Sequence, residues 1–510
     1  MDINFTRHSI STEEVIFCET AEIQIEGNMN SLSNRQAKRL LKCSARTAVT
    51  TKTISDKTAT VEGTATICVI YLDSNNCLTN HEHILLFSKT FESDCDLSQG
   101  EIYVNLSDEK FSATLTSEGV INISGSVVLN VCVKKTAEQE IICDIDNKDI
   151  EQLRGRAEVT MPMGRGEKNL IVEEEISIGN GQPSVDCIIR HNATVTVDEA
   201  RIISGKVMVK GTAKIYVLYL PEEGTRPQSF EDSFPFSQLV DVEGINDNCK
   251  CDCQVKVLFC ELNPRVGSDD EIRAFSISAK LGVSVKAYCD DEIPTVIDAY
   301  STQGGCKMSR GEFTFKKIKD RVCERFIAKK NLEFTDGAIG SVIDIWCENK
   351  KFSCKFEEGR LKVNGTMLVN ILAYDCEGIP NCYERPVDFE YVYRPEMSLA
   401  NPEVVCDITV AHCSYTITGA NTVSVAVVPQ VCATLYDNTK YELLTDIIED
   451  EDACNKQDRR SSIVLYFADA GETVWDIARR YNSSVREIKE LNSVTEDMLS
   501  APKKFIIPTK

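Results

Sequence analysis

The sequence predicts a mainly β fold, with three tandem, sandwich-like β domains followed by a small C-terminal module of the order βααβ. Two observations predict it: a Gly-Thr strand motif recurs three times at domain-sized intervals, and residues 463–508 change from alternating to helical periodicity. A chain of 510 residues is long enough for three or four domains, and its 42% hydrophobic content allows each of them to bury a core.

The Gly-Thr pairs begin at Gly63, Gly211 and Gly365, about 150 residues apart, which indicates a domain-sized repeat. In VEGTATICVIY and its two counterparts, apolar side chains alternate along the segment, as is typical of a long, half-buried antiparallel strand. The shared glycine lies on the inward face, where we expect a bulge or a close approach of the neighbouring backbone. A second glycine precedes the motif in the second and third copies.

A second alternating run follows each motif, so each copy contains the strands of a sandwich. The predicted ranges are 1–150, 151–304 and 305–448 for the β domains, 449–462 for an acidic linker and 463–510 for the module. Two basic segments, 35–42 and 316–330, are predicted to add short helices to the first and third domains.

The formal net charge of −23 restricts the classes of partner. An acidic surface repels phosphate backbones and anionic lipid, so we expect neither nucleic acid nor membrane as a partner, and a basic protein surface fits better. Charges interrupt the N-terminal segment, and no run reaches the roughly 20 apolar residues of a membrane span. We therefore expect a cytosolic chain, in which the 23 cysteines are reduced thiols acting as small hydrophobes.

Two clusters contain metal-binding residue types, and in both the structural interpretation is favoured. Cys249, Cys251 and Cys253 would share one face of a strand, but they lack the repeated Cys-x-x-Cys spacing of zinc sites. Residues 77–83 contain one cysteine and two histidines without a fourth ligand. No nucleophile, phosphate-loop or metalloprotease motif occurs, so the chain is predicted to be non-enzymatic, with no catalytic residue, metal or cofactor.

The Gly-Thr strand, the glycine that precedes it and the tandem spacing resemble the SPOCS domain of spore-coat morphogenesis proteins. The strand motif alone is common in β proteins, whereas three tandem copies joined to the C-terminal module are far more specific. The resemblance implies three SPOCS-type domains in a scaffold for spore-coat assembly.

The C-terminal module has helix signals of its own. Thr473 can cap a first helix, and Ser484 with Glu487 predicts a capping box at the start of a second. The segment GETVWDIA at 471–478 resembles the G-D-T-L-W-x-I-A motif of the LysM domain, and Ile507 with the proline after it matches the family's terminal pair. The resemblance covers the whole module and implies a βααβ fold.

LysM domains usually bind N-acetylglucosamine polymers in a shallow groove between two loops, which the resemblance places at 469–474 and 492–496. Glu472 and Ser493 depart from the aspartate and proline usual in the family. Trp475 could stack on a sugar ring, although packing against the helix pair is favoured. The candidate partner- or glycan-binding residues are Asp469, Ala470, Gly471, Glu472, Thr473, Val474, Asn492, Ser493, Val494 and Thr495.

In coat proteins with SPOCS domains, the LysM module looks like a protein-docking unit that engages the ATPase polymerising around the forespore. The resemblance therefore implies a scaffold on the mother-cell side of the forespore that docks on this ATPase and recruits other coat proteins. The altered loop residues favour this function over a glycan-binding protein of the cell wall or cortex, which stays open as the alternative. A wall hydrolase ranks last, because the sequence shows no catalytic pair.

Overall fold

The computed structural model describes residues 3–32, 34–179, 181–222, 226–267, 270–303, 306–334, 339–419, 421–449 and 463–509. The predicted fold class is confirmed: the molecule is mainly β, with three tandem sandwich-like parts and a small βααβ module at the C-terminus. We call the three parts unit 1, unit 2 and unit 3, and the C-terminal part the module.

Unit 1 consists of two three-stranded antiparallel sheets that face each other. One sheet has the order β1-β6-β5 and the other β2-β3-β4, so the first and last long strands of the unit pair with each other. The apolar faces of both sheets form one core. The strands are β1 (Asn4–Asn30), β2 (Ala37–Ser55), β3 (Thr58–Asp73), β4 (Leu78–Glu92), β5 (Glu101–Leu115) and β6 (Val120–Asp146).

Unit 2 repeats this topology, with one sheet of order β11-β12-β7 and another of order β10-β9-β8 around a core of its own. Its strands are β7 (Ile150–Ser177), β8 (Val185–Ile203), β9 (Lys206–Pro221), β10 (Gln228–Asp241), β11 (Lys250–Val266) and β12 (Ile272–Ser301).

Unit 3 differs only in that its first long strand is split in two. The pieces β13 and β14 both pair with β19, which also pairs with β18, and the second sheet has the order β15-β16-β17. Its strands are β13 (Cys306–Arg325), β14 (Ala328–Glu333), β15 (Ile339–Glu357), β16 (Arg360–Asp375), β17 (Pro380–Tyr393), β18 (Pro402–Gly419) and β19 (Thr422–Glu449).

The three Gly-Thr motifs lie on β3, β9 and β16, the central strand of the smaller sheet in each unit. Each glycine packs beneath a phenylalanine of the next strand and beside a carbonyl oxygen of the previous one, so the predicted close approach of the backbone is present. A Cβ on Gly63 would lie 2.6 Å from the carbonyl oxygen of Ala48 and 2.6 Å from Cε2 of Phe87. The counterparts of Phe87 are Phe236 and Phe389.

The glycine before the motif has a different role in units 2 and 3. Gly205 has a φ of 79° and follows Ser204, whose φ is 47°. Two successive positive φ values are those of the tight hairpin turns that match strand twist, so glycine is preferred there. Gly359, with a φ of 72°, makes the same turn in unit 3.

The units also pack against each other. Ile70, Leu218 and Leu372, one from each unit, lie on the outer faces of the central strands and meet in a shared apolar cluster with Trp346. A second shared cluster joins the far ends of the long strands; its buried members are Ile10, Ile141, Ala157, Val159, Ile293, Phe315 and Leu443.

Polar side chains connect the units around the first shared cluster. Arg190 of unit 2 pairs with Asp344 of unit 3 at 3.0 Å, and Lys42 of unit 1 pairs with Glu348 of unit 3 at 3.0 Å. Burial raises the pKa of Asp344, although Arg190 opposes that shift. A buried ion pair of this kind adds little net stability, because desolvation of both charges offsets their attraction.

The module contains β20 (Ile463–Ala468), α1 (Val474–Arg480), α2 (Val485–Asn492) and β21 (Lys503–Pro508), with β20 antiparallel to β21. Thr473 caps α1 as predicted, since its hydroxyl accepts a hydrogen bond from the backbone N–H of Asp476 at 3.1 Å. The predicted capping box of α2 is wrong, because the side chain of Ser484 makes no capping hydrogen bond. The module core consists of Ala468, Val474, Ile477, Ala478, Ile488, Leu499, Phe505 and Ile507.

Two other predictions need correction. The basic segments 35–42 and 316–330 are not helical. They contribute to β2, β13 and β14, and pairing with neighbouring strands of the sheets keeps their backbone extended. Cysteines 18 and 132 form a disulfide across β1 and β6, and cysteines 323 and 432 form one across β13 and β19, so the thiols are not all reduced. Apart from Glu449 at the end of β19, the predicted linker lies outside the described residues.

Candidate binding site

The first candidate loop connects β20 to α1. Gly471 has a φ of 92°, in the left-handed region that favours glycine. Its N–H donates to the carbonyl of Leu499 at 2.8 Å, and the N–H of Leu499 donates to the carbonyl of Glu472 at 2.9 Å. The N–H of Val474 likewise donates to the carbonyl of Asp497 at 2.8 Å. The first loop is therefore fixed to the segment before β21.

Glu472, the first departure from the LysM motif, is occupied by contacts inside the module. Its carboxylate accepts hydrogen bonds from the hydroxyl of Tyr466 at 2.8 Å and from the N–H of Asp469 at 3.0 Å. The hydrogen bond from Tyr466 is the largest cause that lowers the pKa of Glu472. Glu472 therefore holds the loop in shape as a charged acceptor.

The candidate residues of the first loop differ in exposure. Asp469, Ala470 and Gly471 are exposed, whereas Thr473 is half-buried at the helix cap and Val474 is fully buried in the module core. Of these residues, only Asp469, Ala470 and Gly471 are accessible to a ligand while α1 stays folded.

The second candidate loop follows α2. Asn492 accepts a hydrogen bond from the N–H of Ile506 at 2.7 Å and donates to the carbonyl of Ile506 at 2.7 Å, so its amide clamps β21. Ser493 has a φ of 51° and ends α2 in the left-handed conformation. Val494 is half-buried, while Ser493 and Thr495 are exposed. In this loop, Ser493 and Thr495 are therefore the side chains that a ligand can contact.

Sequence reasoning missed the segment 497–499, which is the one that the first loop contacts. Leu499 is buried, and Met498, at 62% exposure, lies opposite Thr473 in an isolated β-bridge. The available signal was the apolar pair Met498-Leu499 in a polar stretch. The binding role of the ten candidate residues stays a prediction.

The two clusters with metal-binding residue types have structural surroundings. Cys249 is buried in the core of unit 2, and Cys251 and Cys253 pack against that core. Burial raises the pKa of Cys253 to about 11, so this thiol is a poor metal ligand at neutral pH. Among the residues that the structure describes, no group of three or more His, Cys, Asp and Glu side chains is arranged to hold a metal ion.

Trp475 lies at the boundary between the module and unit 2. Its ring is half-buried and packs edge-on against Tyr300 of β12, with ring centroids 4.9 Å apart. Its indole N–H donates to Asp298 of β12 at 3.3 Å. The tryptophan therefore completes the module core on one side and contacts unit 2 on the other.

Two family models match the chain. The model described as "SipL, SPOCS domain" matches residues 184–264, and the LysM domain model matches residues 469–508. The chain carries a SPOCS domain and a LysM domain. The matched SPOCS region runs from the start of β8 into β11 of unit 2, and the LysM match covers both helices of the module. Together the two domains support a sporulation-related, LysM-containing protein.

No curated protein and no solved structure matches the chain. The families that do match are non-catalytic binding or scaffold domains. In the described residues, neither helix has the length and the apolar character that crossing a bilayer requires.

Proposed function

We propose that the protein is a non-enzymatic scaffold for assembly of the spore coat, which docks through its LysM domain on a morphogenetic ATPase at the forespore surface and recruits other coat proteins. One observation carries the proposal: a SPOCS domain and a LysM domain occur on the same chain. The proposed location is the mother-cell side of the forespore.

The geometry of the module supports binding rather than chemistry. Asp469, Ala470, Ser493 and Thr495 are exposed on loops whose backbones are fixed by hydrogen bonds and helix caps. A rigid loop loses little conformational entropy on binding, which favours recognition of a macromolecular surface. None of these four side chains forms a nucleophile–base pair.

A pull-down of the ATPase by the full chain tests the proposal. Deletion of residues 463–510 should abolish capture, and Asp469→Arg with Ser493→Arg should reduce it at least about tenfold, because two charges enter the contact. Glu487→Arg is the matched control, since Glu487 is exposed on α2 outside both loops. Undiminished capture by the deletion variant would remove the module from the mechanism.

Glycan binding is the second candidate function, favoured by the LysM match itself. It predicts that the full chain binds N-acetylglucosamine oligomers in calorimetry and that the same double substitution weakens that binding. Heat of binding to the oligomers, together with unchanged capture of the ATPase by the variant, would favour this second function over the first.

We also propose that the units act as separate recruitment surfaces, with boundaries at 150, 304 and 448. Each unit has its own two sheets and its own core, which supports the division. Several modest sites on one chain would raise the effective concentration of coat proteins around it.

A further inference from the structure

The module contacts unit 2 through one side of α1. Trp475 and Arg479, one helical turn apart, both face β12, where Asp298 and Tyr300 receive them. The hydroxyl of Tyr300 also donates to the carbonyl of Ser483 at 2.7 Å. We call this set, Trp475, Arg479 and Ser483 with Asp298 and Tyr300, the docking contact.

Asp298 is the electrostatic centre of the docking contact. It is only 5% exposed, and it accepts hydrogen bonds from Arg479 at 2.7 Å and from the indole of Trp475 at 3.3 Å. Arg310 of β13 pairs with the other carboxylate oxygen, which also accepts from the N–H of Ala299. Two of the four donors to Asp298 thus belong to the units and two to the module.

This division of donors leaves Asp298 with partners on both sides of the docking contact. If the module departs, Asp298 keeps Arg310 and the N–H of Ala299, so no buried charge is left without a partner. On the module side, Arg479 is about half exposed and returns to water at little cost. Opening the contact therefore breaks no indispensable ion pair.

Tyr300 supplies the apolar part of the docking contact. Its ring is 5% exposed and belongs to the module's apolar cluster, in which Met308 of β13 also packs. Among the described strands, β20 and β21 form a separate two-stranded sheet, so no strand of the module pairs with a strand of the units. One aromatic pair, one hydrogen bond and one shared carboxylate are thus the principal interactions that join the module to unit 2.

We propose that the docking contact is an intramolecular switch: the module alternates between a closed state, in which unit 2 covers the indole side of α1, and an open state that exposes Trp475 and Arg479. Tryptophan and arginine, together with tyrosine, are enriched among the hot-spot residues of protein–protein interfaces. The exposed loops Asp469–Gly471 and Ser493–Thr495 are available in both states, so the switch controls a second face of the module. The proposal stands whichever partner the loops bind.

Tryptophan fluorescence of the full chain tests the switch directly, because the chain has only two tryptophans. Trp346→Phe leaves Trp475 as the single reporter. Acrylamide quenching then separates slowly quenched indole, half-buried in the closed state, from rapidly quenched indole in the open state, and the rapidly quenched population is the accessible fraction. We expect an accessible fraction on the order of 10%, the size of a minor conformational state. Tyr300→Ala should raise the open-to-closed ratio about tenfold, to an accessible fraction of about half, as loss of an aromatic pair and a hydrogen bond predicts.

Two conservative substitutions separate the switch from a folding defect. Tyr300→Phe keeps the ring and removes only the hydrogen bond to Ser483, so it should give an intermediate accessible fraction. Tyr441→Phe is the matched control: it removes a hydroxyl that accepts from the N–H of Glu158 at 3.1 Å, away from the module, and should change nothing. Circular dichroism confirms that each variant keeps its sheets.

Three results would overturn the proposal. A fully quenched indole in the Trp346→Phe parent would show that the contact does not form in solution. An indole with no accessible fraction would show that it does not open. An accessible fraction that responds equally to Tyr300→Phe and Tyr441→Phe would show that the docking contact does not control it.

Discussion

Replacing the glycine of the repeated strand motif by alanine should destabilise the unit that contains it. In unit 1, a Cβ at position 63 would lie 2.6 Å from the carbonyl oxygen of Ala48 and 2.6 Å from Cε2 of Phe87, both far inside ordinary van der Waals contact. Phe87 is 6% exposed in the core and cannot turn away freely. The carbonyl belongs to a paired strand and cannot shift without disturbing β2.

The magnitude follows from two opposing effects. Overpacking of a tight core costs typically about 1–3 kcal/mol, and a clash with main chain belongs at the upper end, about 3 kcal/mol. The alanine also restricts the unfolded chain, which stabilises by about 0.4–1 kcal/mol. Gly63→Ala should therefore lower the free energy of unfolding of unit 1 by about 2 kcal/mol.

Urea unfolding followed by circular dichroism gives the loss of stability, and hydrogen exchange on β2, β3 and β4 places it in unit 1. Gly179→Ala is the matched control, because a Cβ there meets no heavy atom within 4 Å. Equal unfolding midpoints for the two variants, or faster exchange in units 2 and 3 than in unit 1, would refute the packing argument.

Three further predictions follow from buried polar groups and helix caps. Burial, with Arg46 and Arg190, lowers the pKa of His191 to about 3, below its unfolded value near 6.5, so its contribution to stability is complete above about pH 6.5 and falls as the pH drops toward 3. At about pH 5 the free energy of unfolding should be about 2 kcal/mol lower than above about pH 6.5. His191→Asn should remove this difference between urea titrations at about pH 5 and above about pH 6.5. Asp344→Ala should cost about 3 kcal/mol because it leaves Arg190 buried without its partner, and a double-mutant cycle with Arg190→Met should recover most of that loss. Thr473→Ala should destabilise α1 by about 1 kcal/mol, whereas Ser484→Ala, which removes no capping bond, should leave amide exchange of α2 nearly unchanged.

Period-two alternation predicted two strands of each unit, among them the central strand that carries the Gly-Thr motif and its inward face. Val61, Ala65 and Ile67 alternate in the sequence and are fully buried in unit 1. Because side chains of a strand point to opposite faces in turn, the sequence pattern translates directly into a buried face. The same holds for the inward glycine, whose missing side chain indicated the close approach of a neighbouring strand.

The ion pairs around the first shared cluster could not be predicted, because they depend on bulges. The register of each pair β2–β3, β8–β9 and β15–β16 shifts at the same place, just before Lys42, Arg190 and Asp344. These three side chains form ion pairs between units around the first shared cluster. A bulge changes the direction in which a side chain points, and no particular residue type marks the bulge in the sequence.

The binding role of the candidate loops stays a prediction, since it came from the LysM resemblance, which placed them at 469–474 and 492–496. The helix signals predicted the cap at Thr473 correctly. The roles of Glu472 and Asn492 could not be read from the sequence, because both are polar residues that would serve equally well as ligands. Hydrogen bonds from the N–H of Ile506 to Asn492 and from the N–H of Asp469 to Glu472 show that both side chains also hold the loops in shape.

Packing of the three units against each other changes how recruitment would work. If flexible linkers joined the units, the length of each linker would set the effective concentration of one unit near a partner bound to another. Here the shared clusters around Leu218 and Phe315 fix the faces of the units relative to one another. A partner that binds two units would then need two binding sites at the same fixed spacing. The spacing would therefore determine which partners gain affinity from binding twice. The module contacts the units mainly through the docking contact, so it is the part that can move while the units keep their arrangement.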